Sequence, residues 1–218
     1  MTRVYLIRHG KTIGGDERRY KGRLDVPLSD EGVRQMEKAA GFVRRHAGRT
    51  SAPPGSQSGR GPGIAVVEVV YCSKLLRAIK SAETLSRPLG LVPVSIESLG
   101  ERDFGRWEGM TFDEIRAAYP GEFEAWAKDP LKFSPVGGES TQAVLERVMP
   151  VFTELVQSHK ERTFAVVAHG GVNRVILCGV LGIPLENVFR IEQDFAAVNV
   201  IEFYEDYPVV RLLNHVEE

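Results

Sequence analysis

At 218 residues, the chain is long enough for one large domain with a sizeable core. Apolar and charged fractions of 43% and 26% are those of an ordinary globular protein. A formal net charge of −1 gives no global field that would recruit nucleic acid or an anionic membrane, so an anionic ligand needs a local cluster of cations.

The chain opens MTRVYLIRHG, which lacks the basic and apolar regions of a signal peptide. No later stretch approaches the roughly 18 uninterrupted apolar residues of a membrane span. A cytoplasmic location is the expectation. Val4–Ile7 is a short apolar run ending at Arg8-His9-Gly10, which reads as a buried strand. Ser29 then opens a helix whose apolar positions Val33, Met36, Ala40 and Val43 recur at helical spacing. Residues 48–63, rich in Gly, Pro and Ser, have little to pack and are expected to form a flexible surface insertion within a single domain spanning 1–218.

Residues 66–71 suggest a second strand, followed by a helix over about 74–86. Val92–Val94 suggests a short third strand. Thr111 and Glu114 make a capping box before a short helix that stops near Pro120. Residues 139–158 carry Leu145, Val148, Phe152 and Leu155 on one helical face, and Pro150 predicts a kink there. Phe164–Ala168 suits a central parallel strand. A helix follows over about 172–181, closed by Gly182 and Pro184. Alternation in 197–204 and 209–213 predicts late strands nearer a sheet edge. Cys72 and Cys178 each sit in an apolar run and read as buried small hydrophobes.

This order predicts a three-layer α/β/α sandwich with a mostly parallel sheet. Ligands in such folds sit beyond the carboxyl ends of the strands. The residues there are Arg8-His9-Gly10-Lys11-Thr12, then Cys72-Ser73 with Arg77, then Glu97 and Glu101-Arg102, and finally His169-Gly170-Gly171. Two histidines, arginines and a glutamate on one sheet end suit phosphoryl transfer. Arginine donates two parallel hydrogen bonds to phosphate oxygens and keeps its charge. A second imidazole at His169, held protonated, would add charge. An imidazole with one free nitrogen is a nucleophile for phosphorus, and Gly10 would let the main chain fix its tautomer. The leaving oxygen needs a proton donor. Residue chemistry alone leaves Glu97, Asp103 and Glu108 open beside Glu101 for that role.

Blander readings stand beside these. His46, His159 and His215 are read as structural, and Arg77 alone could be a solvated helix residue. A metal site on the two histidines is disfavoured because Arg8 adjoins His9 and no carboxylate stands at ligand spacing. Gly137-Gly138 before a helix reads as turn and capping chemistry.

Taken in order, these segments resemble the histidine phosphatase superfamily, the phosphoglycerate mutase-like family. The segments are Leu6–Thr12, Asp25–Ser29 with Gly32, Cys72–Ala78, Glu101–Gly109, Gly137–Ser140 and Ala168–Val172. The resemblance implies His9 as the phosphorylated residue and Glu101 as proton donor. It further implies a phosphate pocket of Arg8, His9, Arg77 and His169, with Thr12 and Gly170 beside it. No metal and no organic cofactor are implied, and the sheet should carry an antiparallel edge strand. One departure is Ile13-Gly14-Gly15-Asp16, where many members carry a Trp-Asn pair, so that phosphate contact is not carried over.

Asp103–Gly109, running on to Tyr119-Pro120, looks most like α-ribazole phosphatases of cobalamin synthesis and broad-specificity relatives. A small phosphorylated substrate such as α-ribazole 5′-phosphate is therefore expected. A phosphoglycerate mutase is the alternative, and a non-catalytic phosphate-binding module is a further one that the retained His9 and Glu101 disfavour. Specificity is expected from a helical lid at about 111–136 with Phe123, Trp126 and Phe133, together with Trp107 and Tyr20–Arg23. Lys21 and Arg23 are candidates for a second anionic group of the substrate. The late strands also offer an edge for a homodimer.

Overall fold

The computed structural model describes residues 1–17, 19–47 and 66–218. The expected insertion at 48–63 lies outside the described residues. In chain order the elements are β1 (Thr2–Arg8), α1 (Asp30–Ala47), β2 (Val67–Ser73), α2 (Leu76–Ser86) and β3 (Val94–Ile96). Two short helices follow, α3 (Phe112–Ala118) and α4 (Pro120–Lys128). The chain closes with α5 (Thr141–Ser158), β4 (Thr163–Ala168), α6 (Gly170–Leu181), β5 (Val198–Phe203) and β6 (Pro208–His215).

The strands form one sheet in the order β3-β2-β4-β1-β5-β6. Strands β1 to β4 pair in parallel, β5 runs antiparallel to β1, and β6 runs antiparallel to β5 at the edge. The reversed strand therefore lies one position in from the edge. Tyr5, Ile7, Ala165 and Val167 face α1 and α2, whereas Val4, Leu6, Phe164 and Val166 face α5 and α6. Strand alternation of period two sends successive side chains into opposite cores, which is why β1 and β4 read as unbroken apolar runs.

Local signals mostly hold. Ser29 Oγ accepts the Gly32 N–H at 3.1 Å and caps α1. Thr111 and Glu114 form the full capping box of α3. Gly182, at φ +64°, closes α6. Three details differ. Val33 is exposed, and Ala39 takes the buried place beside Met36, Ala40 and Val43. The third strand starts at Val94, because Val92 stands out in solvent and Pro93 lacks a ladder donor. Pro120 ends α3 but also begins α4, where its missing N–H costs nothing in the first turn. Helix α5 continues through Pro150. Cys72 and Cys178 are both buried and free. No helix among the described residues is long and apolar enough to cross a membrane.

Candidate active site

The register of β1 on β4 pairs Arg8 with Ala168, and the His9 N–H extends the ladder to the Ala168 carbonyl at 3.0 Å. His9 and His169 therefore leave the sheet side by side, each one residue beyond a paired strand end. Their rings meet edge to face with centroids 5.1 Å apart. The His9 Nδ1 lies 2.8 Å from the Gly10 carbonyl. A carbonyl only accepts, so Nδ1 carries the proton and Nε2 keeps its lone pair. The turn that allows this is tight: a Cβ on Gly10 would strike the Gly32 carbonyl, so β1 and α1 approach backbone to backbone. The Gly10 N–H donates to Ser81 Oγ at 3.1 Å, which ties the same turn to α2.

A cavity of about 620 Å³ opens above this point. Its lining includes Arg8, His9, Thr12, Lys21, Arg77, Glu101 and Gly170, all expected from the sequence. Arg77 is buried and anchored, with Nη1 on Leu24 O at 2.7 Å and Nη2 on Gly22 O at 2.6 Å. Arg8 donates from Nη1 to Gln193 O at 2.5 Å and lies over the Phe195 ring, 4.0 Å from its centre. Lys21 Nζ donates to Thr12 Oγ1 at 2.7 Å and Ile13 O at 2.6 Å.

His169 is completely buried behind His9 and does not line the cavity. Neither of its ring nitrogens has a hydrogen-bond partner among the described residues, and the same holds for Arg8 Nε. Buried polar atoms are rarely left so, and their clustering beside His9 marks a place built for a ligand with acceptor oxygens. Burial, and then the charges of Arg77 and Arg8, push the His9 imidazole well below its usual 6.5. Burial, followed by Arg77, His9 and Arg8, does the same to His169. The expected protonated His169 is thus corrected, because the protein's own surroundings favour the neutral ring. An arriving phosphate dianion works in the opposite direction. Burial also lowers Arg8 to about 10, against the opposing pull of Glu101.

Glu101 accepts from the Arg102 N–H at 2.9 Å and the Gly171 N–H at 3.2 Å. A Cβ on Gly171 would collide with its carboxylate, so the second glycine after His169 makes room for Glu101. The three rival carboxylates are engaged elsewhere. Glu97 pairs with Lys74 at 2.9 Å, Asp103 accepts from the Gly105 N–H, and Glu108 accepts from the Arg23 N–H. Among the described residues, Glu101 and Glu192 are the only carboxylates in the lining, against six cationic side chains. That imbalance selects an anionic ligand despite the near-zero net charge of the chain.

Arg23 is not part of the cavity. It is exposed, with Nη2 3.6 Å from Glu139 Oε1. The aromatics of the expected lid divide. Phe112, Phe123 and Trp126 pack on one another, Phe133 stacks on Trp107, and Trp126 and Trp107 also reach the cavity. Sequence reasoning missed Arg174, Glu192 and Phe195 in the lining, and Gln193 as a support. Arg174 had a readable signal, since it lies four residues after Gly170 on the same helical face. The 189–195 segment had none, because it is irregular and is carried to the site by the packing of β5 on β1.

A family model for the histidine phosphatase superfamily (branch 1) matches residues 4–51 and 60–216. The chain belongs to the histidine phosphatase superfamily. Among its relatives is phosphoserine phosphatase 1 of Hydrogenobacter thermophilus, 28% identical over 98% of this chain and 92% of that protein. Another is glucosyl-3-phosphoglycerate phosphatase of Mycolicibacterium vanbaalenii, 34% identical over 85% of this chain and 76% of that protein. A bifunctional protein of Mycobacterium tuberculosis is 34% identical over 98% of this chain, which spans about half (54%) of its length. The solved structure of an α-ribazole-5′-phosphate phosphatase candidate from Escherichia coli K-12 superposes with a TM-score of 0.82 at 25% identity, covering 98% and 96% of the two chains. Two of these relatives are named as phosphatases. Among the described residues, no group of three or more His, Cys, Asp or Glu side chains is placed to hold a metal ion.

Proposed function

We propose that this histidine phosphatase hydrolyses a small phosphate monoester through a phosphohistidine at His9. The observation that carries the reading is the Nδ1–H bond to Gly10, which leaves Nε2 unprotonated beside the cavity. Nε2 attacks phosphorus, an N–P bond forms, and the P–O bond to the leaving alcohol breaks. Glu101, in its protonated form, passes its proton to the departing oxygen. A water molecule then attacks the phosphohistidine, giving a proton to the Glu101 carboxylate as the N–P bond breaks. Arg8 and Arg77 counter the charge on the equatorial oxygens, and His169, buried behind His9, adds positive charge once it takes up a proton.

The 103–109 motif and the 25% identical Escherichia coli relative named for adenosylcobalamin and α-ribazole support α-ribazole 5′-phosphate as a candidate substrate, in cobalamin synthesis. The relatives named for phosphoserine and glucosyl-3-phosphoglycerate support phosphorylated acids as rivals.

Hydrolysis of p-nitrophenyl phosphate in the presence of EDTA is the first test. Turnover is expected, and a strict metal requirement overturns the mechanism. His9→Ala should abolish turnover together with any acid-labile phosphoenzyme, and a fully active variant refutes the nucleophile. Product analysis with 3-phosphoglycerate separates phosphate release from the isomerisation of a mutase.

A further inference from the structure

Two guanidinium groups flank a single glycine in the cavity floor. A Cβ on Gly170 would lie 3.4 Å from Arg8 Nε and 3.6 Å from Arg174 Nη1. Like charges brought together repel, and the Arg174 charge indeed acts to lower the Arg8 guanidinium. Such a pair persists where anions answer both members. Glu101 and Asp194 act on Arg8 in the stabilising direction. For Arg174 the protein offers less: Nε donates to Ile191 O at 2.6 Å, and Nη2 stands 3.6 Å from an exposed Glu192 carboxylate. Nη1 has no hydrogen-bond partner among the described residues.

The other lining cations are already committed. Arg102 spends its three nitrogens on Glu139 O, Thr141 Oγ1 and Phe133 O. Arg19 pairs with Glu17 and Glu114, and Lys21 is held by Thr12 and Ile13. Arg8 and Arg77 are the proposed phosphate ligands. Arg174 is left as a forked donor one step from the phosphate position, in a cavity roomy enough for a small organic ester.

We infer that Arg174 is a specificity-determining residue that binds a carboxylate of the substrate. The substrate class is then a small phosphorylated carboxylic acid rather than a phosphorylated nucleoside. The inference rests on the phosphatase reading of the same site.

The test uses matched esters that differ by the carboxylate alone: O-phosphoserine against O-phosphoethanolamine, and 3-phosphoglycerate against glycerol 1-phosphate. The wild-type protein is expected to favour the carboxylated member of at least one pair by tenfold or more in kcat/KM. Arg174→Met should reduce that ratio at least tenfold, mainly through KM, and Arg174→Lys should restore part of it because the charge returns without the fork. A wild-type ratio near one overturns the inference and needs no variant. So does a ratio that Arg174→Met leaves unchanged. In both cases continued hydrolysis of the carboxylate-free esters and of p-nitrophenyl phosphate preserves the phosphatase reading. If the wild-type protein hydrolyses none of these esters, the phosphatase reading falls and the inference falls with it.

Discussion

The imidazoles of His9 and His169 meet edge to face at 5.1 Å in the interior of the molecule, and burial with two nearby arginines holds both toward the neutral form. One neutral ring is what a nucleophile needs. The second ring then serves as a proton acceptor that answers the incoming dianion.

That relationship predicts proton uptake on anion binding. Calorimetric titration with tungstate at pH 7, in two buffers of different ionisation enthalpy, should report about one proton taken up per site. His169→Gln should remove most of it. Identical heats in the two buffers would show that neither imidazole changes state.

Stability should fall on mild acidification. Both histidines have folded-state values depressed below 6.5, so the unfolded chain binds more protons once the pH drops through that value. Their contribution is complete above 6.5 and declines below it, by up to about 1.4 kcal/mol per pH unit for each ring. Urea denaturation between pH 7 and pH 5 should show this slope. The His169→Gln variant should show a shallower one.

Phe195 supports Arg8 from beneath its guanidinium plane at 4.0 Å and also lies 5.8 Å from the His9 ring. Removing the ring by Phe195→Ala forfeits a partly buried cation–π contact of about 1–2 kcal/mol, or about tenfold in kcat/KM for any phosphate ester. Phe195→Tyr should retain most of the activity. Steady-state kinetics on p-nitrophenyl phosphate checks both variants.

Glu139 acts at one remove from Glu101. It forms a bidentate pair with Arg147 at 2.7 and 2.9 Å and accepts the Asp103 N–H at 3.0 Å, while Arg147 donates to the Glu101 carbonyl at 3.2 Å. Glu139→Gln should therefore loosen the segment that aims the proposed acid. The loss of kcat is expected to reach about tenfold for alkyl phosphates. It should be smaller for p-nitrophenyl phosphate, whose good leaving group needs little protonation. Equal losses for both substrate types would indicate a purely structural role.

Much of this molecule is legible in one dimension. The apolar runs before Arg8 and His169 specify buried parallel strands, and the glycines after each histidine mark places where another segment comes close. The strands follow from short-range pattern and the helix starts from capping chemistry. Ranking Glu101 over its neighbours did not follow from residue type, since four carboxylates stand close together in the chain. Three-dimensional packing separated them by giving Glu97, Asp103 and Glu108 other partners. Arg23 and Arg174 show the same limit from opposite sides. Arg23 lies near the right motif yet points to Glu139 outside the cavity.

The sequence by itself determined the layered fold, the strand-end histidines and the arginines beside them, because each is written in local pattern. Tertiary structure alone decided which cations face one cavity, that His169 is buried behind His9, and that Phe195 and Gln193 cradle Arg8. Those outcomes depend on contacts between segments more than a hundred residues apart, and on the electrostatics of burial. Neither leaves a periodic trace along the chain.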